Sequence, residues 1–115
     1  MIGKLPSRAP TRPFVAEIID AACLAFDVNL NDVMSHRRHR PAARASQAAT
    51  FLAKEMTPLS LSQIGRRLNR DHTTVLHATR EVPRLMAADA GLARRIRRTR
   101  RLASLRAALR AVPAL

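Results

Sequence analysis

Four consecutive polar side chains, Asp71, His72, Thr73 and Thr74, stand just ahead of the apolar pair Val75 and Leu76 in this 115-residue chain. A carboxylate, an imidazole and two hydroxyls in a row could serve acid–base chemistry, hold a metal, or read hydrogen-bonding edges on a partner. The spacing decides against the first two. His72 and His77 are five positions apart, and on a 3.6-residue helical period they point about 140° away from each other. The other two histidines, His36 and His39, lie in the run Ser35-His-Arg-Arg-His-Arg-Pro41, with no cysteine or carboxylate near enough in sequence to complete a metal site. No acid–base dyad or nucleophile arrangement emerges elsewhere, so no enzyme, cofactor or metal is expected. Short polar residues at the start of a helix can instead touch base edges, while apolar positions behind them anchor the helix to a core.

That reading needs a helix, a tight turn and a second helix, and Leu61 to His77 supplies the pattern. Ser60 is an N-cap, and Gln63 three residues on completes a capping box. Leu61, Ile64, Gly65 and Leu68 form the buried side of the first helix. Gly65 costs roughly 1 kcal/mol against alanine there, and a close approach of the next helix would offset that cost. Asn69-Arg70 makes the turn, since Asn tolerates the left-handed conformation. Asp71 caps the second helix at the positive end of its dipole, and Val75, Leu76, Thr79 and Val82 pack inward. Pro83 lacks an amide proton and clashes with the Thr79 carbonyl, so this helix should kink or end near Val82. An αα-corner with an ordinary Asp cap fits the same residues.

The surrounding elements follow in chain order. Residues 1–12 read as a loose basic arm. A helix over 13–27 starts with Pro13 at its first position and Thr11 or Arg12 near the cap. Phe14, Ile18, Ala21, Ala22, Ala25 and Phe26 face inward there, with Glu17 and Asp20 on the wet side. Cys23 reads as a small buried or half-buried apolar residue. A short helical turn is expected at 30–34. The run from Ser35 to Pro41 should be an extended, solvated loop: either a charged linker, or a phosphate contact or arm into the narrow minor groove. A helix over 42–56 buries Ala45, Ala48, Ala49, Leu52 and Met56, keeps Arg44, Gln47, Lys54 and Glu55 outside, and stops at Thr57-Pro58. Asp89 caps a last helix over 90–111. Leu92, Ile96, Thr99, Leu102, Leu105 and Leu109 form its stripe and arginines fill most of the rest, before a tail at 112–115.

Alanine is frequent, glycine scarce and β-branched runs absent. The expected fold is therefore all-α: a small helical bundle, with a helix-turn-helix and a long basic C-terminal helix, in one domain over 13–111. Apolar residues make up 47% of the chain, enough for a small core, while three Phe and no Trp or Tyr argue against a stacking platform for single strands. The net charge of +13 and a pI near 12 suit a polyanion. Residues 1–34 carry a net −1, whereas 35–80 and 81–115 carry +7 each, so the charge begins abruptly at Arg37. A single cysteine excludes an internal disulfide. With no signal peptide and no apolar run of membrane-spanning length, a cytoplasmic, nucleoid-associated setting is expected.

The run Arg70-Asp-His-Thr-Thr-Val-Leu-His-Ala78 resembles the C-terminal DNA-binding domain, domain IV, of the bacterial chromosomal replication initiator DnaA. Further matches occur in order at Phe26-Asp-Val, Asp32-Val-Met-Ser, Ser35 to Arg40, Gln47-Ala, Ala53-Lys-Glu-Met-Thr57 and Leu61-Ser-Gln-Ile-Gly65, so the resemblance covers about residues 14–105. It implies a Trp-repressor-like helix-turn-helix that binds double-stranded DNA, as a monomer, at a short, asymmetric, A·T-containing box. By the family pattern Asp71, His72 and Thr73 read base edges in the major groove, and Arg38 enters the minor groove. Backbone contacts are expected from Arg37, Arg40, Gln47, Lys54, Ser62, Arg70, Thr74 and His77. The chemistry agrees: Asp accepts from a cytosine amino group, a Thr methyl meets a thymine methyl, and Arg suits narrow A·T minor grooves.

The departures from the family pattern are specific. Ser46 stands where an arginine commonly precedes Gln47, and Glu81 where a basic residue is common. The turn before Arg70 looks one residue shorter than usual. No Gly-Lys-Ser/Thr phosphate loop occurs, so the chain is expected to act without an ATPase of its own. One expected role is control of replication initiation or of transcription at initiator boxes. The other is an adaptor that binds the replication initiator or an AAA+ regulator of it. The arginine-dense last helix could face DNA, an acidic protein or an anionic membrane surface.

Overall fold

The computed structural model describes residues 11–35 and 40–112; most of the expected arm, the basic residues 36–39 and the last three residues lie outside the described residues. The described residues form six helices and no strand: α1 (Val15–Phe26), α2 (Leu30–Met34), α3 (Arg40–Met56), α4 (Leu61–Leu68), α5 (His72–Ala88) and α6 (Ala90–Arg110). This is the all-α bundle expected. Its core is built from Ile18, Val33, Leu52, Ile64, Leu68, Val75 and Ile96, with Ala45, Ala48, Ala49 and Ala53 of α3 letting neighbouring helices approach. α3 is central: it packs on α1, on the α4–α5 pair and on α2, while α6 lies mainly along α1.

Local signals set most helix ends. The Ser60 hydroxyl accepts from the Gln63 amide at 3.1 Å, and the Ser60 amide donates to Gln63 Oε1 at 2.8 Å, closing the capping box of α4. Asn69 ends that helix at φ 55°, in the left-handed region. Asp71 caps α5 and Asp89 caps α6, each through a side-chain oxygen. At α1 the cap is different from the expectation. The helix starts at Val15 rather than Pro13, and the Phe14 amide donates to Glu17 Oε1 at 2.8 Å. Phe14 is consequently 56% exposed instead of inward, and the Arg110 guanidinium lies 3.8 Å from its ring centroid.

Three further expectations are corrected. Helix α5 does not end at Val82 but runs through Pro83 to Ala88. The proline is exposed, with Val82 buried before it and Leu85 and Met86 packed on the core after it. That burial on both sides holds the helix together across the missing hydrogen bond. Helix α3 begins at Arg40, not Ala42, because Pro41 fits a first helical turn whose amides have no partner anyway. In α6 the inward line is Leu92, Ile96, Thr99, Ala103 and Ala107, leaving Leu105 and Leu109 54% and 62% exposed. Steps of four beyond Thr99 keep that line facing its neighbours, so small alanines rather than leucines meet the bundle.

Candidate nucleic-acid interface

The tip of α5 is built as a donor–acceptor cluster on a fixed backbone. Asp71 Oδ1 accepts from the Thr74 amide at 2.9 Å and from the Thr73 hydroxyl. These bonds, the Thr73 hydroxyl first, hold the Asp71 carboxyl below its ordinary range and keep it anionic. Because the Thr73 hydroxyl proton is engaged with the cap, its methyl and the acceptor side of its oxygen are left for an outside contact. Asp71, His72, Thr73 and Thr74 are all exposed, and nothing in the bundle covers them.

Gly65 explains how α4 and α5 meet. A Cβ there would stand 2.4 Å from the carbonyl oxygen of Arg70, and the Arg70 amide donates to the Gly65 carbonyl at 2.8 Å. The close approach is therefore to the turn itself, and only glycine leaves room for it.

Arg70 links this turn to the base of the basic run. Its Nη1 donates to the carbonyls of Asn69 at 3.0 Å, Leu68 at 3.3 Å and Met34 at 3.5 Å. Its Nη2 donates to Val33 at 3.2 Å and Ser35 at 2.8 Å. One guanidinium thus closes the C-terminal ends of α2 and α4 together, a fork geometry that lysine cannot reproduce. Ser35, the last described residue before 36–39, is thereby held beside the turn that leads into α5.

A groove of about 160 Å³ between α3 and α5 gathers four of the expected contact residues, Gln47, Arg70, Thr74 and His77, with Ser46 and Thr50. Arg44 Nη1 donates to Gln47 Oε1 at 3.0 Å. That bond turns the Gln47 amide so that its NH₂ is available as a donor. This positioning role of Arg44 went unnoticed in the sequence, although its spacing of three from Gln47 carried the signal. The Thr50 hydroxyl donates to the Ser46 carbonyl, inside α3. Lys54, Ser62 and Arg40 are exposed but outside the groove: Lys54 lies on the second half of α3, Ser62 in the first turn of α4, and Arg40 at the start of α3. Arg37 and Arg38, with His36 and His39, lie outside the described residues.

Comparison with known proteins identifies the family of this fold. The family described as the bacterial dnaA protein helix-turn-helix matches residues 15–82, from the first residue of α1 to the buried Val82 of α5. The chromosomal replication initiator protein DnaA of Brucella abortus is 43% identical over 100 residues, which is 86% of this chain and 20% of that protein. The same protein from Sphingopyxis alaskensis is 45% identical over 94 residues, covering 81% of this chain and 21% of the relative. That from Cereibacter sphaeroides is 45% identical over 78 residues, covering 67% and 17%. The chain therefore spans about a fifth of the length of these relatives. With the capped tip of α5, the glycine-seated turn and the family match over most of the bundle, this chain belongs to the bacterial DnaA helix-turn-helix family.

Proposed function

We propose that the chain binds double-stranded DNA sequence-specifically at initiator-box sites, and so regulates replication initiation or transcription. In this reading Asp71, His72 and Thr73 enter the major groove, and Arg38 reaches into the adjacent minor groove. Gln47, Thr74 and His77 hold a phosphate in the α3–α5 groove, with Arg37, Arg40, Lys54 and Ser62 on flanking phosphates. Arg70 supports the interface by tying the basic run to the turn. In this reading these 115 residues supply the recognition of the site. The carrying observation is the exposed, cap-ordered tip of α5 beside the origin of the basic run. Titration of box-bearing and scrambled duplexes at two salt concentrations tests the reading. The box should bind on the order of 10³-fold tighter or more, and log K should fall with log salt at a slope of about −0.9 per neutralised phosphate. Equal affinity for both duplexes removes the claim of specificity.

A second reading has its own support. Leu105 and Leu109, four apart on α6, are 54% and 62% exposed, and Val112 just past the end of the helix is 62% exposed. Such a strip suits a protein partner, the replication initiator or an AAA+ regulator of it. Capture of that partner that survives His72→Ala with Thr73→Ala supports the adaptor. Loss of capture with those changes ties the partner to the DNA-binding tip.

A further inference from the structure

The eight arginines of α6 divide into two groups by what they face. Arg100, Arg106 and Arg110 are paired with Glu55, Asp20 and Glu17 at 2.9, 3.5 and 3.1 Å, and fasten the later part of the helix to α3 and α1. Arg94, Arg95, Arg97, Arg98 and Arg101 are exposed, and among the described residues none of them meets a carboxylate within ion-pair distance. Arg94, Arg97, Arg98 and Arg101 recur at three and four and so share one face. Arg95 turns to the side. It stands over the Phe26 ring at 5.9 Å and lines a pocket of about 350 Å³ with Arg40 and Arg44, in which Asp89 is the only acid.

We infer that the first half of α6, joined through Arg95 to Arg40 and Arg44, is a second, sequence-independent phosphate-binding surface that takes duplex DNA beyond the segment read by α5. Continuity in sequence argues for DNA: Arg40, which directly follows the basic run 36–39, lines the same pocket as Arg44 and Arg95. Length argues for it as well. Seven helical steps cover roughly 10 Å, the axial length of about three phosphates on one strand. An anionic membrane is less suited, because the exposed leucines of this helix begin only at Leu105, past the five arginines of this surface. The surface also accounts for five arginines that no carboxylate among the described residues pairs. Five like charges within about two turns destabilise a helix slightly, and phosphates would neutralise them.

The inference rests on the DNA-binding reading, and the test separates the two. Fluorescence anisotropy with the full chain would use a short duplex holding only the box, and a longer one with about one helical turn of flank on each side. Each would also be made with scrambled sequence. The wild-type chain should gain roughly tenfold from the flanks, on both sequences, because phosphate contacts are sequence-independent. The variant Arg94→Gln/Arg95→Gln/Arg98→Gln/Arg101→Gln should lose that gain and make the salt slope less negative by about 3. The milder Arg98→Gln/Arg101→Gln, checked for helix content by circular dichroism, should lose part of it. Arg100→Gln should leave the flank gain in place. A flank gain on scrambled DNA that vanishes in the variant, without any box preference in the wild type, upholds this surface while the specificity reading falls. An unchanged flank gain and salt slope in the variant overturns the surface. So does a variant that binds all duplexes normally but loses capture of a protein partner.

Discussion

At Arg70 the sequence motif and the structure assign different work to one side chain. The motif places it beside Asp71 as a backbone contact, whereas its guanidinium faces five main-chain carbonyls from Val33 to Ser35 and at Leu68 and Asn69. The two roles are separable by Arg70→Lys. A phosphate contact survives in lysine, but the fork does not. We expect Arg70→Lys to weaken DNA binding about as much as Arg70→Ala, and both to lower stability by about 2 kcal/mol in urea unfolding. Rescue of DNA affinity by lysine would return Arg70 to the contact set. Asp71 allows a similar separation. Asp71→Asn preserves the cap, since Asn caps as well as Asp, but removes the anionic acceptor. It should melt like the wild type and lose discrimination at one base pair, whereas Asp71→Ala should also lose about 1 kcal/mol of stability.

At the level of elements, caps and turns other than the α1 start were legible because they depend on residues three or four apart. Ser60 with Gln63, Asn69, Asp71 and Asp89 all stand where their spacing placed them. At Pro83 the helix does not end as expected, because local reasoning weighs the lost hydrogen bond and cannot weigh the burial on either side of it. Pro83→Ala should therefore raise stability, by about 1–3 kcal/mol, without changing DNA affinity. A lower melting temperature would show that the proline acts instead by restricting the unfolded chain. Gly65→Ala should move the other way. Its Cβ meets backbone rather than a flexible side chain, so the turn must shift, at a cost of about 1–3 kcal/mol. DNA affinity should fall with it, because the same shift re-aims α5.

Across the whole molecule, the two ends of the described bundle are fastened by one residue. Arg110 bonds both Glu17 oxygens, donates to the Arg12 carbonyl at 2.9 Å and lies over Phe14. The Arg110 guanidinium, chief among several contacts, holds the Glu17 carboxyl below its ordinary value. Its folded pKa is thus lower than its unfolded one. The stabilisation it brings is fully present above the ordinary carboxylate pKa of 4.5 and disappears as pH falls through the folded value. Thermal melts from pH 7 downward should hold steady to about pH 5 and then decline. Arg110→Gln should flatten the Glu17 part of that decline, and an unaltered decline in the variant would move its cause elsewhere. Cys23 is half-buried, and burial pushes its thiol up, away from reactive thiolate.

By itself the sequence determined the all-helical class, the Ser60 and Asp71 caps, the left-handed turn at Asn69 and the polar tip that follows it. Each is a short-range consequence of residue type and spacing. Only the tertiary structure decided which face of α6 turns inward, because alanines at 103 and 107 match the neighbouring helices better than the larger leucines at 105 and 109. It also decided which arginines are held by carboxylates 45 and 93 residues away in sequence and which meet no carboxylate among the described residues. Charge counts are local properties of a chain, but the pairing of charges depends on where distant helices come to rest.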